Sequence, residues 1–214
     1  MYRKQIVYRQ IFLCSSFASV IKLFIECAGE ELKGKKVAFI PTASIVESVT
    51  FYVKSGKKAL ERAGMLVSEL EITRSSKAEI CAVLAESDYI YVTGGNTFFL
   101  LQELKNRGVD KMIMELVKKG KPYIGESAGA MIVSPDIEYI KAVNFDPISK
   151  APDLNEFSSL DLVDFYTIPH YGEFPFKKKG EKIIQAYNDE LKLYPISNKQ
   201  AVFVRDADIE IKSL

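Results

Sequence analysis

The sequence predicts an α/β protein: a three-layer sandwich whose mainly parallel sheet is covered by helices on both faces. Two observations carry this. Apolar runs of strand length alternate with amphipathic stretches of helix length five times between residues 11 and 130. The runs KVAFI at 36–40 and YIYV at 89–92 are apolar at nearly every position, as in strands buried on both faces. The length of 214 residues suits a single domain, 1–214, with a large core and no need of staples.

The elements follow in order. Residues 11–14 form a short strand and 17–32 a helix. The strand 36–40 ends at Pro41-Thr42-Ala43-Ser44, a loop with helix-capping character. Residues 47–63 are helical, with Gly64 as the stop. Residues 66–72 alternate as a strand, 77–86 are helical, and 89–92 are a buried strand running into Gly94-Gly95-Asn96-Thr97. Helices at 98–107 and 111–119 follow, the second stopped by Gly120. The strand 122–125 leads into Glu126-Ser127-Ala128-Gly129-Ala130. The rhythm then weakens. Residues 141–160 carry Asn144, Pro147, Pro152 and Asn155 and read as a long irregular segment, a kind that is often functional. A strand at 162–168 stops at Pro169-His170, a helix covers 177–193, and strands at 201–204 and 209–211 close the chain.

Composition excludes several classes. Hydrophobic residues make up 48% and charged residues 27%, which rules out disorder, collagen and coiled coil. Lys+Arg is 29 against Asp+Glu 28, so no global field invites nucleic acid or an acidic surface. Three Cys (Cys14, Cys27, Cys81) without CxxC spacing give neither a disulfide framework nor a zinc cage, and all three read as small core residues. One His excludes a His-rich metal site. No metal and no cofactor are expected. Arg3, Lys4 and Arg9 precede an apolar run at 11–25, a superficial likeness to a signal peptide. Ser15, Ser16 and Lys22 interrupt that run, and a strand followed by a helix explains it better. A cytoplasmic protein without a membrane span is expected.

The chemistry concentrates at Gly125-Glu126-Ser127-Ala128-Gly129, which matches G-x-S-x-G between a strand and a helix start. A nucleophile projected above a sheet needs a sharp, strained turn, and only small neighbours fit around it. Here those are Gly125, Ala128, Gly129 and Ala130. The plain alternative is a helix start capped by Ser127. A serine nucleophile needs a base, usually an imidazole, and the single His makes His170 the one choice. An orienting carboxylate could be Asp136, Glu138, Asp146, Asp153, Glu156, Asp161 or Asp164, with Glu126 and Glu173 beside the other two members. The residues alone leave it open. An oxyanion hole would take one N–H from Ala128 and a second from the Gly94-Gly95-Asn96 turn. That turn lacks the Lys-Ser/Thr of a P-loop and the spacing of GxGxxG, so nucleotide binding is weak.

GGNTF after a strand, then GESAGA at 125–130, then Pro169-His170, resemble the peptidase E family of aspartyl dipeptidases and cyanophycinases. The resemblance runs from Ile40-Pro41 to Pro195-Ile196-Ser197-Asn198. It implies a flavodoxin-like or class I glutamine amidotransferase-like fold, with Ser127 as nucleophile, His170 as base, and Gly95 and Ala128 N–H groups as oxyanion hole. It makes Asp146 the best match for the triad acid, with Asp136 and Glu126 behind it. The aspartyl-specific members carry an Arg shortly after the His, and here Lys177-Lys178-Lys179 stands there. Lys is a point charge without a planar fork. Asn96, Glu126 and Lys178 are the candidate substrate-binding residues. The implied activity is that of a serine dipeptidase on short peptides, including those with an acidic first residue. An amidase or esterase on a non-peptide acyl compound, or an idle binding protein of the same fold, are the alternatives. A short peptide or small acyl substrate is the expected partner, with no nucleic acid and no membrane, in a monomer or homodimer.

Overall fold

The computed structural model describes residues 9–143 and 145–214; Arg3, Lys4 and Asn144 of the sequence reading lie outside the described residues. The elements are β1 (Gln10–Cys14), α1 (Ile21–Ala28), β2 (Lys36–Ile40), α2 (Phe51–Arg62), β3 (Leu66–Glu69), α3 (Lys77–Glu86) and β4 (Tyr89–Val92). Then come α4 (Thr97–Arg107), α5 (Val109–Lys118), β5 (Tyr123–Glu126), α6 (Ala128–Met131) and α7 (Glu138–Ala142). The chain closes with β6 (Tyr166–Ile168), α8 (Lys177–Tyr187), β7 (Leu193–Pro195), β8 (Gln200–Arg205) and β9 (Asp208–Ser213).

Seven strands form one sheet in the order β3-β2-β4-β5-β1-β8-β9. The first five in that order run parallel; β8 joins antiparallel to β1, and β9 antiparallel to β8. The expected mainly parallel sheet is therefore present, with helices on both faces. Successive side chains on a strand point to opposite faces, so β1 feeds two cores at once. Ile11 and Leu13 pack with Ile90, Val92, Ile80, Leu100 and Ile113 on the side of α3, α4 and α5. Phe12 and Cys14 pack with Phe39, Tyr91, Phe24 and Leu60 on the side of α1 and α2. This double burial is why the strands read as near-continuous apolar runs. A third apolar cluster, with Phe98, Tyr139, Phe145, Ile168 and Ile183, lies under residues 137–187.

Several boundaries differ from those expected, among them the strand expected over 162–168, which starts only at Tyr166 because β7 offers three residues to pair with. The helix expected over 17–32 opens as a 3-10 turn at Phe17–Ser19 and stops at Ala28, because Gly29 turns left-handed at φ 63. The helix expected from 47 begins at Phe51. Ser44 folds back, its N–H and hydroxyl both donating to the Pro41 carbonyl at 2.9 and 2.7 Å, and residues 45–50 become a loop. The strand expected over 66–72 ends at Glu69, since the Glu71 carboxylate ties the following turn to Thr42 and Thr73. The helix expected to 193 ends at Tyr187, because β7 pairs in parallel with β6 as a separate two-stranded sheet. Cys81 is also exposed rather than a core residue, unlike Cys14 and Cys27. Among the described residues, no helix is long and apolar enough to cross a membrane.

Candidate active site

Parallel strands deliver their carboxyl ends to one edge of the sheet, where open α/β proteins place their sites. Ser127 follows β5 there, with Gly94-Gly95 after β4, the Thr42–Ser44 turn after β2, and Ser15 after β1. The Ser127 backbone is strained, at φ 50 and ψ −105. A non-glycine residue holds such a conformation only where its surroundings impose it. Here the Ser127 N–H donates to the Cys14 carbonyl at 2.8 Å, and its own carbonyl accepts from Ala130 and Met131 in α6.

The small residues of the motif are required by contact. A Cβ on Gly129 would lie 2.2 Å from the Val92 carbonyl oxygen, and one on Gly125 would lie 2.4 Å from the Gly129 carbonyl oxygen. Helix α6 is thereby pressed onto the ends of β4 and β5. Gly129→Ala is expected to cost about 1–3 kcal/mol or more of stability, as overpacking does, and to lower activity by displacing Ser127. Urea unfolding midpoints measured beside peptide turnover check both.

His170 Nε2 lies 3.1 Å from Ser127 Oγ. The His170 backbone sits at φ 58. Its N–H donates to Ser15 Oγ at 2.9 Å, and that hydroxyl bonds onward to the Ile196 carbonyl at 3.0 Å. The end of β1 thus anchors both partners, Ser127 through Cys14 and His170 through Ser15. The sequence reading used Ser15 only as a break in an apolar run. The imidazole face stacks on Phe176, with ring centroids 4.7 Å apart. Burial lowers the His170 pKa below the usual histidine value, partly offset by its bond to Asn198 and by Glu173. The ring is neutral at pH 7.

The third member differs from expectation. His170 Nδ1 lies 2.7 Å from Asn198 Oδ1. A carbonyl oxygen only accepts, so Nδ1 carries the proton and the Nε2 lone pair faces Ser127. Asp146, expected in this place, is bound elsewhere: its Oδ2 accepts from the Thr97 N–H at 2.8 Å and from the Thr97 hydroxyl at 2.6 Å. A carboxylate at the positive end of α4 is held there by the unpaired N–H groups of the first turn. Burial still raises its pKa, with Thr97 opposing. Asp136, the first backup, accepts from the Tyr166 hydroxyl at 2.7 Å. Asn198 could have been found from strand pairing. Ile168 of β6 pairs with Pro195 of β7, so the residues just beyond each strand emerge together.

The three candidate substrate-binding residues are also placed differently. Asn96 is fully buried and caps α4, with Oδ1 accepting from the Phe99 N–H at 2.9 Å and Nδ2 donating to the Pro147 carbonyl at 3.0 Å. Both ends of its amide are occupied by backbone. Glu126 is buried beneath the elbow, accepting from the Phe17 N–H and the Tyr91 hydroxyl, each at 2.8 Å. Lys178 is exposed. Of the three lysines it is Lys179 that turns inward, donating to the Phe145 carbonyl at 2.6 Å.

The two expected backbone donors stand just beyond β4 and β5. Ala128 opens α6, so its N–H has no acceptor within the helix. Gly95 holds φ 136, and a Cβ there would lie 2.2 Å from the Ala43 carbonyl oxygen. Only glycine allows the loop after β2 to approach this closely. A Cβ on neighbouring Gly94 would lie 3.1 Å from Ser127 Cβ, so the glycine turn faces the elbow directly. A serine hydroxyl beside a neutral, oriented imidazole, with backbone N–H groups on either side, is equipped for acyl transfer.

Comparison with known proteins gives the family. The model of peptidase family S51 matches residues 11–212. An uncharacterized peptidase of Listeria monocytogenes serovar 1/2a is 53% identical, over 96% of this chain and 99% of its own. Peptidase E of Salmonella newport is 33% identical, over 77% of this chain and 69% of its own. A crystal structure of a peptidase E candidate from Listeria monocytogenes EGD-e superposes with a TM-score of 0.91 at 53% identity, covering 97% of this chain and 99% of that one. A peptidase from an acI-B1 actinobacterium shares the fold, with a TM-score of 0.71 at 21% identity over 95% of this chain and 87% of that one. With the family model spanning nearly the whole sequence, this chain belongs to peptidase family S51 and is a serine-type peptidase.

Proposed function

We propose that the protein is a serine exopeptidase, a dipeptidase of short peptides, working through Ser127, His170 and Asn198 with the Gly95 and Ala128 N–H groups as oxyanion hole. Ser127 Oγ attacks the scissile carbonyl while His170 Nε2 takes its proton. The oxyanion is held by the two backbone donors. The imidazolium returns the proton to the leaving amine; a water, giving its proton to His170 Nε2, then attacks the acyl ester, and that proton passes to Ser127 Oγ as the acid is released. Asn198 keeps the imidazole in the tautomer that accepts at Nε2. The observation that carries this reading is the 3.1 Å approach of Nε2 to Oγ on a strained elbow.

The charge around the site bears on specificity. Lys178 is exposed and Lys179 is committed to the Phe145 carbonyl, so neither offers the bidentate grip by which an arginine reads a carboxylate. An acidic first residue is accordingly not required of the substrate. The test is a panel of dipeptides and longer peptides with acidic, apolar and basic first residues, followed by amino-acid release. A fluorophosphonate probe, located by mass spectrometry, runs in parallel. Release from dipeptides with Asp-X no better than Leu-X, and a label on Ser127, are expected. Cleavage confined to long chains would overturn the dipeptidase reading, and a label absent from Ser127 would overturn the mechanism.

A further inference from the structure

One buried ionisable group next to the nucleophile has no part in that mechanism. Glu126 precedes Ser127 and lies under the elbow, away from solvent. Its Oε1 accepts from the Phe17 N–H, in the segment leaving β1, and its Oε2 accepts from the Tyr91 hydroxyl on β4. The Gly94 N–H also favours its ionised form. Room for the Tyr91 hydroxyl comes from helix α2, where a Cβ on Gly56 would lie 2.7 Å from that oxygen. A Cβ on Gly94 would in turn lie 3.7 Å from the Glu126 carbonyl oxygen, so the glycine turn rests on the Glu126–Ser127 peptide.

We propose that the Glu126 carboxylate is a positioning residue that ties the Ser127 elbow to β4 and to the segment leaving β1, and so sets the distance between the two oxyanion donors. The inference rests on the serine mechanism proposed above. Those donors, Gly95 and Ala128, sit on separate strand ends, β4 and β5; beyond the strands the Ser127 N–H holds the Cys14 carbonyl and the Asn96 N–H holds the Ala43 carbonyl, and neither bond joins one loop to the other. A single carboxylate next to Ser127 that accepts from Tyr91 on β4 and from Phe17 beyond β1 ties the elbow to the strand that carries the glycine turn. An oxyanion hole works only when its donors are fixed before charge develops. Losing the ionised acceptor loosens the hole without touching the substrate in its ground state.

Burial pushes the Glu126 carboxyl up to about 7, with Phe17, Tyr91 and Gly94 opposing. The titratable groups acting on it are Tyr91 from β4, Cys14 from β1 and Tyr52 from α2, and burial raises all three, so they stay neutral across that range. The carboxylate therefore forms as pH rises through about 7. Burial lowers His170 below the ordinary histidine value, so its ionisation falls at lower pH.

The experiment compares wild type, Glu126→Gln and Tyr91→Phe on a cleaved dipeptide across pH, with fluorophosphonate labelling of each. Glu126→Gln imitates the protonated group. It is expected to lower kcat by about 10- to 100-fold, less than the about 10²–10³-fold for deleting an oxyanion donor outright, with KM within about twofold. Its acid limb should move down to that of His170 alone. Tyr91→Phe removes a bond that favours the carboxylate, so its acid limb should move above that of wild type. A purely structural role would lower stability without shifting either limb in these opposite senses. Unchanged kcat and unchanged limbs in a wild type that labels at Ser127 would overturn this inference alone. A wild type that neither labels nor depends on Ser127 would overturn the mechanism beneath it as well. Should Glu126→Gln fail to fold, the direction of the Tyr91→Phe limb decides.

Discussion

Ser127→Ala is expected to lower turnover of a cleaved peptide by about a millionfold, the scale seen when a hydrolase of this type loses its nucleophile. The proposed reaction has no substitute for Oγ. His170 Nε2 has Ser127 Oγ as its partner at 3.1 Å, and a water entering that space would have to attack without the covalent intermediate that divides the reaction into two easier steps. Residual catalysis of about 10³–10⁴ over water would persist, because the oxyanion donors and substrate contacts are intact. The fold should be unaffected. The Ser127 side chain bonds only to His170 among the described residues, while its backbone is fixed by Cys14, Ala130 and Met131. Stopped assays of amino-acid release, with circular dichroism melting of the same preparation, check both halves. Turnover within tenfold of wild type in a folded variant would exclude Ser127 as the nucleophile.

Much of this arrangement was legible in the sequence because local steric demands write themselves into residue types. The strands β2 and β4 and the helix α3 have the boundaries their apolar pattern gave. The elbow was readable because its backbone contacts at Gly125 and Gly129 tolerate no side chain. His170 was found by counting, since one histidine leaves no choice. What the sequence hid were the partners set by long-range pairing. Asp146 and Asn96 both look like site residues beside their motifs, yet the N-terminus of α4 consumes them. Four N–H groups without intrahelical acceptors attract the nearest carboxylate and amide oxygen. Asn198 lies 28 residues from His170 along the chain and meets it only because β7 folds alongside β6. That pairing also ended α8 early, at a point where the helical pattern gave no stop. Ser15 was hidden for the same reason: its role comes from the central place of β1 between β5 and β8, which no local pattern records.

Asn198 carries the second large effect. Its Oδ1 is the acceptor that fixes the His170 tautomer, and it does so without charge. Asn198→Ala leaves Nδ1 without its partner and frees the ring to place its proton on Nε2, where it cannot accept from Ser127. A loss of about 10²–10⁴-fold in kcat is expected, the range of a general base put out of action. Asn198→Asp tests the electrostatic side of the same contact. In the native protein burial lowers the His170 pKa, and the Asn198 bond raises it part of the way back. Removing that bond in the Ala variant lowers the pKa further. A carboxylate 2.7 Å from Nδ1 would favour the imidazolium and raise it. The two substitutions must therefore move one titration in opposite directions. Because the chain has one His, proton NMR of the imidazole reads that titration without assignment. A shift of the same sign in both variants would mean that Asn198 acts on the ring through packing rather than through its hydrogen bond. Opposite shifts would explain how a neutral amide can serve where a carboxylate was expected. In a ring already kept neutral by burial, what the third residue must supply is orientation, and an amide oxygen supplies it while leaving the base free at lower pH.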